Sequence, residues 1–407
     1  MAVTFVLVLF MLLEVSHGQQ YSKSVDLMTA VLTGYNPRQR PVLEQKDTMN
    51  LTLSLSVFSI RDLDEVEGKF SLVGKLGMQW RDEIINWSPA SYGGASKIDL
   101  KLSDIWYPKL VLTNPFTKMT DLGEDWMTLS VTSSGDIYFF PVSVFEATCS
   151  VDVTYYPFDT QTCTLEFSEL SYSGTELTLT SSGPVQLSSS LQSSQWEMIS
   201  ADVTRIPGSS VLVDKIKYTF TTKRKSLFLI INILTPIIVM AVLNVLVFIL
   251  PAESGERLSF SVTMLLALAV YMTIVGDNLP KSSEPMSILS YYLMGTLFVS
   301  SAITVLTILN LDIYHRQGHV NQCFKSLARI ILAKTCRNKS KDTPVQVKVA
   351  FADDKNSDCV SPSPTDDKED ISWQDVSFAV DRLCLVFITI TNITMNIVFM
   401  TTLQSGS

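Results

Sequence analysis

The sequence predicts an extracellular antiparallel β-sandwich domain followed by a transmembrane four-helix bundle. Residues 19–225 contain short runs of alternating apolar and polar residues separated by turn residues, as half-buried strands do. Four apolar segments of bilayer length follow, at 227–250, 258–279, 286–309 and 383–403. The composition agrees, because 46% of the 407 residues are hydrophobic, only 17% are charged and the mean hydropathy is +0.25.

Residues 1–18 are predicted to be a signal peptide. Their apolar core at 3–13 is too short to span a bilayer, and the small residues Ser16 and Gly18 mark a cleavage site. A first membrane helix is the alternative, since no Lys or Arg precedes the core. Cleavage would place the mature N-terminus outside the cell, in an oxidising compartment. Four spans then return the C-terminus to the extracellular side of the plasma membrane.

The domain boundaries follow from these segments. The predicted domains are a signal peptide (1–18), an extracellular β-sandwich (19–225), three transmembrane helices (226–310, the second at 257–279), a cytoplasmic segment (311–380) and a fourth transmembrane helix with an extracellular C-terminus (381–407). Residues 321–334 have the spacing of an amphipathic helix on the inner leaflet, and residues 353–370 are predicted to be disordered. A passive linker is the alternative for the whole cytoplasmic segment.

Cysteines and glycosylation sequons fit an extracellular β-sandwich. Cys149 and Cys163 are the two cysteines of that region, and their spacing predicts a disulfide that closes the loop 150–162. The other four cysteines fall in predicted cytoplasmic or membrane segments. Asn50 and Asn86 begin glycosylation sequons in the outer region.

Several function classes are excluded by composition. A net charge of −9 argues against nucleic acid as a partner, because phosphate binding needs a basic face. The three histidines are His17, His315 and His319, so the mature outer domain has none for Ser-His-Asp catalysis or for most zinc sites. The sequence shows no nucleophile–base set, phosphate loop or metal cluster, so we expect neither an enzyme nor a cofactor.

The second membrane segment carries polar residues on one helical face. Steps of three and four residues connect Glu256, Ser259, Thr263, Leu266, Val270, Thr273 or Ile274, and Asp277. The two terminal acids would lie roughly 32 Å apart, about one bilayer thickness. A ring of such helices would expose the hydroxyls to water, concentrate cations at both mouths and form an apolar constriction at Leu266 and Val270. Helix packing is the alternative, but it explains the hydroxyls and not the acids.

Two motifs resemble a known family. The loop containing Tyr156, Pro157, Phe158 and Asp159 resembles the signature loop of the Cys-loop receptors, the pentameric ligand-gated ion channels. The segment 253–259 resembles the start of the pore helix in the nicotinic acetylcholine receptor-like, cation-conducting branch. Further residues at the family's spacings are Trp80, Asp82, Trp106, Pro108, Asn114, Gly174, Asn232, Pro236 and Pro280.

The resemblance implies an assembly and a selectivity. We expect a homopentamer in membrane lipid that conducts sodium and potassium, with calcium permeability left open. Glu253, Glu256 and Asp277 match the three acidic rings of the cation-conducting branch. An accessory subunit of a heteromeric channel and a non-conducting, membrane-tethered binding protein are the alternatives.

The resemblance also implies how the outer domain drives the pore. The matching pieces are Glu65 in the turn at 62–67, the loop tip with Asp159, Arg224, and Pro280 in the linker after the pore helix. We expect Arg224 to face Glu65 or Asp159 in a partly desolvated ion pair. Anchoring of Arg224 at lipid headgroups is the alternative.

The ligand cleft departs from the family's pattern. Lys75, Thr113 and Leu170 stand where nicotinic-type receptors carry aromatic residues, although Tyr172 fits. The loop around Val213 has no adjacent cysteine pair and no tyrosine. An aromatic box for a cationic ligand is therefore missing, and acetylcholine or serotonin is not expected as the agonist. If the cleft is used, we expect an anionic, zwitterionic or apolar small molecule, and a proton remains a further candidate. Alternatively, Lys75 is a solvated surface charge and the cleft is not the trigger of the channel.

Overall fold

The computed structural model describes residues 21–189, 193–277, 279, 286–322, 324–326, 328–331 and 371–405. The chain divides into two compact units. The β-domain is Met1–Ser226 with Leu279–Pro285, and the helical domain is Leu227–Asn278 with Met286–Ser407. The predicted signal peptide and the stretch at 353–370 lie outside the described residues.

The β-domain begins with helix α1 (Tyr21–Leu32) and continues as strands, most of which pair with an antiparallel neighbour. Its strands are β1 (Met49–Asp64), β2 (Lys69–Arg81), β3 (Lys97–Lys101), β4 (Leu110–Leu112), β5 (Thr128–Thr132), β6 (Asp136–Phe139), β7 (Val142–Thr148), β8 (Thr160–Glu169), β9 (Leu177–Ser181), β10 (Gln186–Leu187), β11 (Trp196–Ile206) and β12 (Lys215–Arg224). Strand β1 buries Leu51, Leu53 and Leu55 on one face, which is the alternation predicted for this segment.

Two sheets form the predicted sandwich. One has eight strands, in the order β10-β1-β2-β6-β5-β3 with β7 and β9 paired to β2 and β1, and the other has four, in the order β11-β12-β8-β4. The sheets meet in one core, where the rings of Phe70 and Phe220 lie 5.6 Å apart and those of Phe145 and Phe167 5.4 Å apart. This arrangement confirms the predicted fold class of the β-domain.

Among its described residues, the helical domain contains four helices that are long and apolar enough to cross a membrane. They are α2 (Leu227–Phe248), α3 (Arg257–Asp277), α4 (Ile288–His315) and α5 (Trp373–Ser405). Helix α5 begins ten residues before the predicted start at 383. The extension is too polar for a membrane segment, but its Val376 and Ala379 are each 1% exposed and pack against Val320 and Ala328. Tertiary packing therefore stabilises a helix that hydropathy alone does not reveal.

The amphipathic helix predicted at 321–334 is helical at residues 322, 324–326 and 328–331. Its apolar side chains divide between two environments. Ala328 and Ile331 pack against the extension of α5, and the Phe324 ring centroid lies 6.0 Å from that of Trp373, whereas Ile330 is 64% exposed. Only part of the apolar face is thus available to a lipid surface.

Helix α2 is interrupted by a π-helical turn at Ile230–Leu234, just before Pro236. Proline has no backbone N–H, so the carbonyl of Asn232 loses its usual donor four residues along. The hydroxyl of Tyr271 on α3 donates a hydrogen bond to that carbonyl at 2.6 Å and to the Ile233 carbonyl at 3.2 Å. A side chain of α3 therefore satisfies the backbone that the proline leaves unpaired.

Candidate pore helix and coupling site

The polar stripe of α3 lies on the exposed face of this helix. Leu266 and Val270 are 63% and 52% exposed, and Ser259, Thr263 and Asp277 are exposed as well. The hydroxyl of Thr263 donates to the Ser259 carbonyl at 2.8 Å, so one polar group of the stripe is satisfied locally. A single helical domain thus leaves this entire face uncovered.

The opposite face of α3 packs inside the helical domain. Ser261 is fully buried, and its hydroxyl lies 2.8 Å from that of Thr304 on α4. Leu268 and Val275 are 5% and 2% exposed on the same side. Helix packing therefore accounts for Ser261, which is off the predicted stripe, and not for Ser259 or Thr263.

Acidic residues flank α3 at both ends. Glu256 precedes the first helical residue and is exposed, and its carbonyl accepts the first backbone hydrogen bond of the helix, from Phe260 at 2.9 Å. Glu253 accepts a hydrogen bond from the Tyr314 hydroxyl at 2.9 Å, which holds this carboxylate near the end of α4. Asp277 is the last residue of the helix and is exposed.

A buried ion pair at the start of α3 was missed by sequence reasoning. The Arg257 guanidinium is fully buried and binds both carboxylate oxygens of Asp381 on α5, one of them at 3.0 Å from Nη1. The Asn310 side chain on α4 donates to the same carboxylate at 2.6 Å. Charged residues inside apolar segments are costly unless paired, and this rule could have drawn attention to Arg257 and Asp381.

In the β-domain, a disulfide joins Cys149 and Cys163, whose Cα atoms are 5.2 Å apart. This confirms the predicted pairing. Within the disulfide loop, the Gln161 side chain donates hydrogen bonds to the Asp152 carbonyl at 2.7 Å and to the Asp159 carboxylate at 2.5 Å. Tyr156 is 4% exposed, and its burial raises the pKa of its hydroxyl to about 12 despite the nearby Arg224 charge. Pro157 is buried beside it, while Phe158 is half-buried.

Arg224, the last residue of β12, is the centre of a charged cluster. Its Nε donates to Asp159 Oδ1 at 2.7 Å and its Nη2 to Asp159 Oδ2 at 2.9 Å, and Nη2 also pairs with Glu65. The guanidinium lies 4.2 Å from the Trp196 ring centroid and 5.0 Å from that of Tyr156. Burial alone would lower the pKa of Arg224, but the two carboxylates outweigh it and raise the pKa.

The structure thus brings Arg224 together with both acids named from the sequence. The Arg224 side chain is 6% exposed, that of Asp159 2% and that of Glu65 17%. Lys223, the preceding residue of β12, is exposed. Pro280, the remaining predicted coupling residue, lies outside the described residues.

The predicted cleft residues have separate environments within one chain. Lys75 lies on β2 of the eight-stranded sheet, with its ammonium 5.2 Å from the Phe140 ring centroid. Thr113 follows β4, and its backbone N–H donates to the Glu166 carbonyl at 2.7 Å. Leu170 is 60% exposed, whereas Val213 is 5% exposed. Burial removes Val213 from the residues that a ligand could contact directly.

The residues that begin the two predicted glycosylation sequons lie on the surface of the β-domain. Asn50 and Asn86 are both exposed. Asn50 accepts a hydrogen bond from Thr180 at 3.1 Å. Across the described part of the chain, no group of three His, Cys, Asp or Glu side chains is arranged to hold a metal ion.

Two family models match the two domains. Residues 24–226 match the "Neurotransmitter-gated ion-channel ligand binding domain", and residues 233–359 match the "Neurotransmitter-gated ion-channel transmembrane region". The chain belongs to the Cys-loop receptor family. This family comprises ion channels rather than enzymes, which supports the prediction that the chain is not an enzyme.

Relatives in the Cys-loop receptor family include acetylcholine receptor subunits. The chain is 31% identical over 298 residues to acetylcholine receptor subunit alpha-1-B of Xenopus laevis, covering 71% of this chain and 65% of that subunit. It is 27% identical over 314 residues to acetylcholine receptor subunit beta of Rattus norvegicus, covering 73% of this chain and 62% of that subunit. The chain therefore spans less than two thirds of the length of these two relatives.

Proposed function

We propose that the chain is a subunit of a cation-selective, pentameric ligand-gated ion channel in the plasma membrane, with both termini extracellular. The observation that carries this proposal is the exposed stripe of α3. On a lipid-facing surface, the Ser259 hydroxyl and the Asp277 carboxylate would be exposed to hydrocarbon, which is costly, and only Thr263 would keep a local partner, the Ser259 carbonyl. A ring of five such faces around an axis places them in water instead. The buried Ser261 shows that this helix has a different face for packing.

The charges of the stripe support cation selectivity. In the ring, Glu253 and Glu256 would form acidic rings at one mouth and Asp277 at the other, which concentrates sodium and potassium. No basic residue of α3 weakens this charge, since Arg257 is buried and neutralised by Asp381. Leu266 and Val270 would form the apolar constriction that closes by dewetting.

Coupling of ligand binding to the pore is assigned to the Arg224 cluster. Arg224, Glu65 and Asp159 join the end of β12, the β1–β2 turn and the tip of the disulfide loop into one charged unit. Because all three side chains are largely buried, movement of one piece is transmitted to the others. The loop residues 156–158 and Pro280 complete the proposed coupling region.

The agonist is proposed to be neither acetylcholine nor serotonin at the subunit cleft. Lys75 occupies a position where an aromatic face would attract a cation, and its ammonium already lies over Phe140. Leu170 and Thr113 also lack an aromatic face. An anionic, zwitterionic or apolar small molecule fits these residues better. Two relatives are named acetylcholine receptor subunits, but identities of 31% and 27% leave the residues of the cleft free to differ.

The test is voltage-clamp recording from cells that display the chain on their surface. Leu266→Ser should open the pore without agonist, whereas the matched change Leu265→Ser, one residue off the stripe, should leave it closed. The current should reverse between the potassium and sodium equilibrium potentials and should not follow the chloride equilibrium potential when external chloride is replaced. Glu256→Gln should shift the reversal potential towards that of chloride.

Each alternative predicts a different record. Current that reverses at the chloride equilibrium potential would refute cation selectivity. If cells expressing Leu266→Ser alone carry no current, and current appears only upon coexpression with an acetylcholine receptor subunit, the chain is an accessory subunit. If no current appears either alone or upon coexpression, although the protein is at the cell surface, a non-conducting binding protein is favoured.

A further inference from the structure

Arg257 is a positive charge at the acidic end of α3. It is the first residue of the helix and directly follows Glu256, and Glu253 lies four positions earlier. Both glutamates are exposed, whereas Arg257 is fully buried. A guanidinium cannot lose its proton in a protein, so only the position and the partners of Arg257 decide whether it weakens the negative charge of the two glutamates.

Helices α4 and α5 supply the partners that keep Arg257 buried. Asp381 on α5 accepts hydrogen bonds from both terminal nitrogens of the guanidinium. The Asn310 side chain on α4 donates to the same carboxylate at 2.6 Å and to the Ser377 carbonyl at 3.3 Å, which holds the carboxylate in place. The guanidinium carbon also lies 5.6 Å from the Phe248 ring centroid. These contacts replace the water that a charged group loses on burial.

Loss of the Asp381 charge would make this buried position unfavourable. A buried guanidinium without a carboxylate is costly, so its side chain should turn towards water or towards another anion. Glu253 and Glu256 are the carboxylates nearest to Arg257 in the sequence, and the long aliphatic stem of arginine allows its charged end to reach a neighbouring surface. An unpaired guanidinium would then cancel one of the two carboxylates that each subunit contributes to this mouth.

A second contact shows that α4 also positions charge at this end of α3. The Tyr314 hydroxyl on α4 donates to the Glu253 carboxylate at 2.9 Å. A hydrogen bond of this kind favours the charged form of the carboxylate and fixes its place. The helices packed beside α3 therefore hold one negative charge at the surface and one positive charge inside the helical domain.

We propose that Asp381 is a positioning residue for ion selectivity, because it withholds the Arg257 charge from the mouth that Glu253 and Glu256 form. Asp381 acts through Arg257 and makes no contact with a permeating ion. The inference rests on the proposed cation channel and deepens it, since it assigns part of the control of the pore's charge to α5, a helix outside the pore.

Single-channel recording tests this role in full-length protein that carries Leu266→Ser and is therefore open without agonist. In this parent, Asp381→Asn should lower the inward sodium conductance by about twofold or more and shift the reversal potential towards that of chloride. A merely structural role would lower the number of channels and leave the conductance of each one unchanged. Asp312→Asn is the matched control, because this exposed carboxylate of α4 pairs with the exposed Arg316 and should leave the conductance unchanged. Adding Arg257→Gln to Asp381→Asn should restore the parental conductance, since no guanidinium is then left to move.

The proposal is overturned if Asp381→Asn leaves the single-channel conductance unchanged. It is equally overturned if the double variant keeps the low conductance of Asp381→Asn. Should Asp381→Asn not assemble by itself, it is coexpressed with an excess of the parent subunit. Discrete lower conductance levels are then expected, and a single parental level, although both subunits co-purify, would overturn the proposal.

The same recordings separate this inference from the proposed function. If the Leu266→Ser parent carries no current, or carries a chloride current, the proposed cation channel is refuted together with this inference. If the parent carries a cation current that Asp381→Asn does not change, this inference alone is refuted.

Discussion

Removal of the Arg224 guanidinium should destabilise the β-domain strongly. Arg224→Met keeps much of the side-chain volume but deletes the charge that pairs with Asp159 and Glu65. Asp159 is left with one side-chain donor, Gln161 at 2.5 Å, and its side chain is 2% exposed, so water cannot readily replace the lost partner. The contact of the guanidinium with the Trp196 ring is lost as well.

The magnitude follows from this burial. Breaking a buried ion pair by removing one partner costs roughly 3–5 kcal/mol, because the other charge stays buried without compensation. For a domain of this size, about 1 kcal/mol corresponds to a melting-temperature change of about 2–4 °C, so a decrease of roughly 6–20 °C is expected. Asp159→Asn should cost less, about 1.5–3 kcal/mol, since Arg224 retains Glu65.

The assay is thermal unfolding of the purified full-length protein at one scan rate, for wild type, each single variant and the double variant. Lys223→Met is the matched control, because this neighbouring residue of β12 is exposed and should change the melting temperature little. The double variant should be more stable than the sum of the single effects predicts, by about 1 kcal/mol or more. Additivity within about 0.5 kcal/mol would refute the buried pair as an energetic unit.

Three further changes probe other parts of the molecule. Asp381→Asn should leave the fully buried Arg257 without its carboxylate and destabilise the helical domain by roughly 3–5 kcal/mol, and an unchanged melting temperature would contradict this. Tyr271→Phe removes the donor to the Asn232 carbonyl and should cost roughly 1–3 kcal/mol in the same assay, and a melting temperature equal to that of wild type would contradict this. Burial would raise the pKa of Asp214, but hydrogen bonds and an arginine lower it, so its contribution is present above the ordinary pKa of about 3.9 and is lost as pH falls below it. Asp214→Asn should therefore lower the melting temperature at neutral pH and flatten its decline in acid, and parallel pH profiles would argue against this role.

Contacts between residues far apart in the chain could not be predicted from the sequence. The membrane-spanning segments and the exposed stripe of α3 were predictable, because helical periodicity and hydropathy depend on residues a few positions apart. The pairing of Arg257 with Asp381, 124 residues apart, was not, since only the packing of α3 against α5 brings them together. The extension of α5 likewise depends on contacts with Val320 and Ala328.

The sequence by itself determined the two-domain organisation, the disulfide and the set of residues that share one face of α3. Each is encoded locally, by alternation, by length in an apolar medium or by cysteine spacing. The tertiary structure decided which face of α3 is buried, as Ser261 and Ser259 show, and that Arg224 binds both acids rather than one. It also decided that Glu169, which no sequence pattern singled out, is a buried carboxylate. Burial and pairing are set by neighbours that only the folded chain supplies, because the cost of a charge depends on the water and partners around it.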